Sequence, residues 1–155
     1  MSDASMFDPS TFLDAQLTEP TEKRPPLPVG EYTGIIDEVK ARTWQGRKDP
    51  TKSGIAWDVP ITLDVPAAIQ EDLHLTSPTL TFTDSVMLDL TEGGLIDNAP
   101  GKNRRLRMYR EACDMNKPGD VFSGRAMQGK VVHVKLEHEL YEGAPVERIG
   151  GVVRS

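Results

Sequence analysis

The stretch IAWDVPITLDV, residues 55–65, decides the fold class of this chain because its apolar and polar residues alternate. One face would carry Ile55, Trp57, Val59, Ile61, Leu63 and Val65, and the other Ala56, Asp58, Pro60, Thr62 and Asp64. Period-two alternation predicts a half-buried strand. Pro60 has no N–H to donate, which indicates a sheet edge or a bulge at that point.

Similar patterns extend in both directions from this strand. GEYTGIIDEVKARTW, residues 30–44, is rich in the Tyr, Thr, Ile and Val that favour strands. TLTFTDSVMLDL, residues 79–90, alternates again, with Leu80, Phe82, Val86, Leu88 and Leu90 on one face. The C-terminal residues 129–155 indicate a strand, a YEGAP turn and a second strand.

The period changes between these strands. When the residues from Arg104 onward are placed at helical spacing, apolar side chains occupy one half of the helix and cationic side chains the other. The apolar half holds Leu106, Met108, Tyr109, Ala112 and Cys113, and the cationic half holds Arg104, Arg107 and Arg110. This predicts an amphipathic helix with Asn103 or Asn98 as its N-cap, ended by NKPG at residues 116–119.

The order of three strands, one helix and two strands predicts a mainly β domain over residues 30–155. The helix between the third and fourth strands is typical of the OB-fold, a five-stranded antiparallel barrel. A β-sandwich with a single helix is the alternative architecture.

Residues 1–29 are predicted to form a flexible, acidic, proline-rich arm. They carry five acids and two bases, and four prolines lie in TEPTEKRPPLPVG. Proline fixes φ and favours an extended linker. Phe7 and Phe12 lie ahead of that linker, and we expect this apolar pair to dock a protein partner or a neighbouring subunit.

Composition and motifs favour a binding protein over an enzyme. A chain of 155 residues fits one domain, and its single cysteine, Cys113, fits a reducing cytoplasm. The N-terminus does not have the pattern of a signal peptide. His133 and His138 point to opposite faces of their strand, and no phosphate-binding or nucleophile motif is present. We expect no cofactor and no metal site.

Acidic and basic residues are segregated along the chain, whose formal net charge is −6. Residues 53–99 carry eight acids and no Lys or Arg, whereas residues 100–110 carry five bases and no acid. Such asymmetry is typical of a ligand-facing surface, and an acidic total does not exclude a polyanionic ligand.

Two predicted loops have the chemistry for single-stranded nucleic acid, which needs aromatic faces for bases and cations for phosphates. The loop between the first two strands and the loop between the last two would flank the binding face of an OB-fold. These loops and the adjacent strand supply Trp44, Arg47, Lys48, Lys52, Lys135, Tyr141 and Arg148.

Each of these residues also has a structural interpretation. Trp44 fits a cap on the barrel end, Tyr141 fits packing within its hairpin, and Trp57 belongs to the core pattern. The helix arginines Arg104, Arg107 and Arg110 have three interpretations: a phosphate track, a partner's acidic surface, or neutralisation of the acids at 53–99.

The chain resembles the small single-stranded DNA-binding proteins of tailed bacteriophages over about residues 27–153. The clearest parts are the P-x-G-E-Y-T-x-x-I pattern, residues 28–36, and GKVVHVK, residues 129–135. The rest of the resemblance lies in three stretches: SGIAWDVPITLDV, MLDLTEGGLIDNAPGKNRRLRMYREACDMNKPG and MQGKVVHVKLEHELYEG. Many such proteins end in an acidic tail, whereas this chain ends RIGGVVRS and has its acidic arm at the N-terminus.

The resemblance implies an OB-type fold and sequence-independent single-stranded DNA binding in phage replication or recombination, in the host cytoplasm. The alternative is a protein-interaction module that binds a host or phage polymerase without contacting nucleic acid. The expected protein partners are replication or transcription proteins of the phage or host, or a second copy of the chain.

Overall fold

The computed structural model describes residues 9–16 and 24–155. Six strands in this part of the chain form one antiparallel sheet: β1 (Gly30–Ile36), β2 (Lys40–Gln45), β3 (Ser53–Asp64), β4 (Thr79–Met87), β5 (Val131–Tyr141) and β6 (Ala144–Arg154). The helices are α1 (Ala67–Asp72), α2 (Arg104–Ala112) and α3 (Gly124–Met127), preceded by a 3-10 helix, Pro9–Asp14. None of the described helices has the length and apolarity needed to cross a membrane. The prediction of a mainly β fold is confirmed.

The first predicted strand, residues 30–44, is divided into β1 and β2. These two strands lie end to end along one edge of β3, and β4 occupies the other edge. Pro60 of β3 lies opposite the break, where its carbonyl accepts a hydrogen bond from the N–H of Asp37 at 2.8 Å. The N–H that Pro60 lacks would point into this break, so the proline is accommodated inside the sheet.

The remaining strands extend the sheet from the other side of β1. β5 pairs with β1, and β6 pairs with β5 with a register shift between Lys135 and Leu136. Among the described residues, no strand pairing joins β4 to β6. The sheet is therefore open at this seam, and closure into the expected barrel is not shown.

The core fills the concave side of the sheet. Val59, Ile61 and Leu63 are completely buried, as the alternation of β3 predicts, but Ala56, which the alternation places on the opposite face, is completely buried as well. Trp57 is half-buried rather than fully buried, with its ring centroid 6.4 Å from that of Phe122. The apolar half of α2 covers the core through Leu106, Tyr109, Ala112 and Cys113.

The helical content exceeds the single helix predicted. α1 connects β3 to β4, and α3 follows α2 before β5. Asn103 does occupy the N-cap position of α2, but its side chain does not cap the helix. Instead, its amide bonds the backbone of Asp89 and Asp97, which ties the preceding loop to the helix.

Candidate nucleic-acid interface

The sheet register assigns the candidate side chains to one of two faces. Registered partners in an antiparallel pair point to the same side. Because Trp44 pairs with Gly54 and lies two residues from Arg42, both project from the convex face, opposite the buried Val59. By the same alternation, the convex face carries Lys135, Tyr141 and Arg148 in β5 and β6.

The β2–β3 hairpin is the most cationic strand pair of the sheet. From Lys40 to Lys52 it holds five cations and one acid, Asp49. Arg42 donates from Nε to both carboxylate oxygens of Asp58, at 2.9 and 3.1 Å, and lies along the strand surface. The three cations at the turn, Arg47, Lys48 and Lys52, are exposed and have no ion-pair or side-chain hydrogen-bond partner among the described residues.

Trp44 lies flat over the backbone of its cross-strand partner. A Cβ placed on Gly54 would come within 2.8 Å of Trp44 Nε1 and 3.0 Å of Cε2, so only glycine leaves room for the indole. The ring is half-buried, and its N–H has no hydrogen-bond partner within the described chain. The absence of a side chain at Gly54 lets the indole lie against the strand, with its Nε1 buried.

The second hairpin offers an exposed aromatic with fewer unpaired cations. Tyr141 is 63% exposed at the β5–β6 turn. Lys135 lies directly opposite Glu31 on β1, and Arg148 lies opposite Glu137 on β5. These acids offset both cations locally, so this hairpin is nearly neutral on the convex face.

The two hairpins extend from opposite ends of the sheet. The β2–β3 turn precedes Ser53, whereas Leu63, at the other end of β3, pairs with Gly34. β5 then runs past Gly30 at Leu136 and continues for five more residues to its turn. A single strand of nucleic acid bound along the convex face would therefore follow the length of the sheet to contact both turns.

The helix arginines lie on a different part of the molecule. α2 packs on the concave side of the sheet, where Arg107 donates from Nη2 to the carbonyls of Asn98 and Ala99, both at 3.0 Å. Arg110 donates to the carbonyl of Met115 at 2.8 Å. The side chain of Arg104 is exposed and has no hydrogen-bond or ion-pair partner among the described residues. The helix and the hairpin therefore do not share one face.

Arg105 is a structural residue that sequence reasoning missed. Its Nε donates to Asp84 Oδ2 of β4, and its Nη2 donates to the Ile149 carbonyl of β6, each at 2.7 Å. Tyr109, one turn later, donates to the same Asp84 oxygen at 2.6 Å. A signal existed: Asp84 occupies an inward position in the alternation of β4, and a buried carboxylate requires donors.

The same seam is covered by residues that the sequence assigned to the arm. The guanidinium of Arg24 lies 2.6 Å from the carboxylate of Glu147 in β6 and 5.7 Å from the ring centre of Phe82 in β4. Leu27 is completely buried, and its carbonyl lies 2.6 Å from His138 Nε2. Arg24 and Leu27, which the sequence analysis assigned to the arm, therefore contact β4, β5 and β6.

The eight acids of residues 53–99 are dispersed. Asp58 pairs with Arg42, Asp84 with Arg105, and Asp89 accepts a hydrogen bond from the backbone N–H of Asn103 at 2.7 Å. No group of acids, histidines or cysteines in residues 9–16 and 24–155 is arranged to hold a metal ion. Two of the eight acids, Asp58 and Asp64, occupy positions of β3 on the same face as Trp44, and Asp58 is paired there with Arg42.

The arm itself is described only in part. Phe7 lies outside the described residues. Phe12 is 59% exposed and Leu13 is 85% exposed in the 3-10 helix, which buries none of its own residues.

No model of a known protein family matches this sequence. No curated protein matches it at a significant level either.

Proposed function

We propose that this protein binds single-stranded DNA without sequence preference, with the β2–β3 hairpin as its main contact. The observation that carries the proposal is the combination on one hairpin of Trp44, held flat over Gly54, with the unpaired turn cations Arg47, Lys48 and Lys52. Stacking on an aromatic ring and phosphate neutralisation are the two interactions that such binding needs.

The fold that we infer is of the OB type. Support comes from β1 and β2, which follow one another along β3 like a single bent strand. The β1 end of this strand also pairs with β5. The order of the elements along the chain, with α2 before β5, also supports this inference once β1 and β2 are counted as one strand. Arg105 and Arg24 join β4 to β6 through side chains, where strand pairing would otherwise be needed.

The residues then take distinct roles. Trp44 stacks on a base, and Arg47, Lys48 and Lys52 neutralise phosphates at the hairpin turn. Farther along the convex face, the bound DNA strand passes Lys135 and Arg148. It then reaches Tyr141, which provides a second stacking surface. Because acids face Lys135 and Arg148 across the strands, this end contributes less to affinity than the hairpin.

The biological setting is inferred from the resemblance to phage single-stranded DNA-binding proteins. It implies a non-enzymatic protein, with no cofactor, that coats DNA during replication or recombination in the host cytoplasm. Recruitment of replication or transcription proteins would fit the helix α2, since its exposed Arg104 and Arg107 lie away from the convex face.

A module that binds a polymerase without nucleic acid is the second candidate. The observation that favours it is the separation of the helix cations from the hairpin, because a single phosphate track would unite them. It predicts that the hairpin cations can be removed without effect on partner binding.

The deciding experiment is fluorescence anisotropy of labelled dT30 with the full chain, at 50 and 200 mM salt. The proposal expects binding of the single strand that weakens steeply with salt, and much weaker binding of a duplex of the same length. No single-strand binding at the lower salt would overturn the proposal and leave the protein-interaction module.

A further inference from the structure

Asp49 is the only acid between Lys40 and Lys52, and it lies at the turn of the β2–β3 hairpin. Arg47 and Lys48 precede it directly, so it stands among the cations that are proposed to bind phosphate. A carboxylate in this position repels phosphate, and its charge alone therefore opposes the proposed DNA contact. Its hydrogen bonds, however, hold the turn together.

The side chain and the backbone of Asp49 both close the turn. Its Oδ1 accepts hydrogen bonds from the backbone N–H of Thr51, at 3.1 Å, and from the hydroxyl of Thr51. Its carbonyl oxygen accepts a hydrogen bond from the N–H of Lys52, also at 3.1 Å. A carboxylate that bonds the backbone two residues later forms an Asx turn, which restricts the chain locally without a strand partner.

Two further hydrogen bonds join this turn to the strands. Gln45 donates from Nε2 to the carbonyl of Pro50 at 2.8 Å, and the N–H of Gly46 donates to the carbonyl of Lys52 at 2.7 Å. A Cβ placed on Gly46 would come within 2.5 Å of the carbonyl oxygen of Asp49, so the turn folds back closely on its own base. The turn is therefore compact and bonded at both ends.

The hydrogen bonds of the turn leave the side-chain charges free. Arg47 and Lys48 are exposed between Gly46 and Asp49, and neither takes part in a hydrogen bond described for the turn. Lys52 contributes only its backbone to these bonds. Three unpaired cations thus extend from an ordered backbone, and a backbone that is ordered before binding loses less entropy when the ligand binds.

We propose that Asp49 is a positioning residue for phosphate binding, an inference that rests on the proposed DNA-binding function. One oxygen of its carboxylate orders the turn so that Arg47, Lys48 and Lys52 are held ready for the DNA backbone. Removal of this acid should therefore weaken DNA binding, which is the opposite of what its charge predicts. Binding should be kept only if the replacement retains an acceptor oxygen at the same position.

Two substitutions that remove the same charge separate position from charge. Asp49→Asn keeps an oxygen that can accept both bonds from Thr51, because both bonds use a single oxygen of the carboxylate. Asp49→Ala has no such oxygen. In fluorescence anisotropy with labelled dT30 at 50 mM salt, Asp49→Asn should bind at least as tightly as the wild type. Asp49→Ala should bind about fivefold or more weakly than Asp49→Asn.

A chain without two of the cations shows whether Asp49 acts through them. In a background carrying Arg47→Gln and Lys48→Gln, the difference in affinity between Asp49→Ala and Asp49→Asn should shrink to about twofold or less. A general loss of structure would lower the affinity in either background. Because the turn is exposed, neither substitution of Asp49 removes a contact of the core.

Equal affinities of the Asp49→Ala and Asp49→Asn chains would overturn this inference. So would a difference that keeps its full size when Arg47 and Lys48 are replaced. In both cases the wild type still binds dT30, so the proposed function stands. Absence of dT30 binding by the wild type would instead overturn the proposed function, and with it the positioning role of Asp49.

Discussion

Arg105 of α2 donates from Nε to Asp84 of β4 across 2.7 Å, and this pair holds the helix against the open side of the sheet. The same guanidinium reaches the Ile149 carbonyl of β6. The side chain of Asp84 is 12% exposed and that of Arg105 is 30% exposed, so solvent screens the pair only in part. The strand edges of β4 and β6 are thus joined by a side chain instead of a backbone ladder.

We predict that Arg105→Met lowers the free energy of unfolding by about 2 kcal/mol, because Asp84 loses a charged donor. Arg104→Met is the matched control, because the side chain of Arg104 is exposed and has no described partner. Urea denaturation followed by circular dichroism measures both. Equal stability of the two variants would contradict a structural role for the Arg105–Asp84 pair.

A second prediction concerns alkaline pH. Burial, and then the adjacent carboxylate of Asp84, raise the pKa of Tyr109 well above its ordinary value. The unfolded chain releases this proton above about pH 10, whereas the folded chain retains it, so stability falls as pH rises through that range.

Tyr109→Phe removes this contribution, although it also costs the hydrogen bond to Asp84. The variant should be less stable at pH 7, and its stability should fall less steeply than the wild type between pH 9 and 11. Thermal denaturation across this range measures the slope. Burial, followed by Glu147, also raises the pKa of Tyr32, so a weaker alkaline slope should remain in the variant. Identical slopes in the variant and the wild type would refute the assignment to Tyr109.

Sequence patterns predicted the sheet better than its connections. Val59, Ile61 and Leu63 alternate because one face of β3 meets the core, and that signal depends only on local spacing. The break between β1 and β2 lies opposite Pro60 of β3, a relationship between two strands that the pattern within residues 30–44 does not show. The side-chain contacts across the seam come from Arg24 and Arg105, which lie outside both strands that they contact.

The candidate site was predictable in composition but not in arrangement. Trp44 and the hairpin cations follow from a loop rich in the right residue types. Helical spacing predicts that the arginines of α2 share one side of the helix. It does not show that Arg107 and Arg110 donate hydrogen bonds to loop carbonyls. Neither does spacing show that α2 faces away from Trp44, because that follows from how the helix packs on the sheet.

A third prediction tests whether residues 24–29 belong to the domain. Leu27→Ala should destabilise the fold by about 2–4 kcal/mol, because a completely buried leucine leaves a cavity. Val29→Ala, two residues away and 61% exposed, should change stability little. Equal, small effects of both substitutions in urea denaturation would show that the arm extends to Gly30.

The fourth prediction separates the hairpin from the helix by salt dependence. Replacing Arg47, Lys48 and Lys52 with glutamine should make the slope of log affinity against log salt shallower by about 2, since three phosphate contacts are lost. Arg104→Gln on α2 should leave the slope unchanged. A shallower slope in the helix variant, with no change in the hairpin variant, would move the phosphate track to α2.

The last prediction uses the close packing of Trp44 on Gly54. Trp44→Ala should weaken dT30 binding by about 1–3 kcal/mol if the indole stacks on a base. Gly54→Ala keeps the indole but places a Cβ within 2.8 Å of its nitrogen, which must push the ring off the strand. Both variants should therefore lose affinity, and Trp44→Phe should recover part of it because a smaller ring still stacks. If Trp44→Ala lowers the free energy of unfolding but leaves dT30 affinity unchanged, Trp44 serves only to cover the strand.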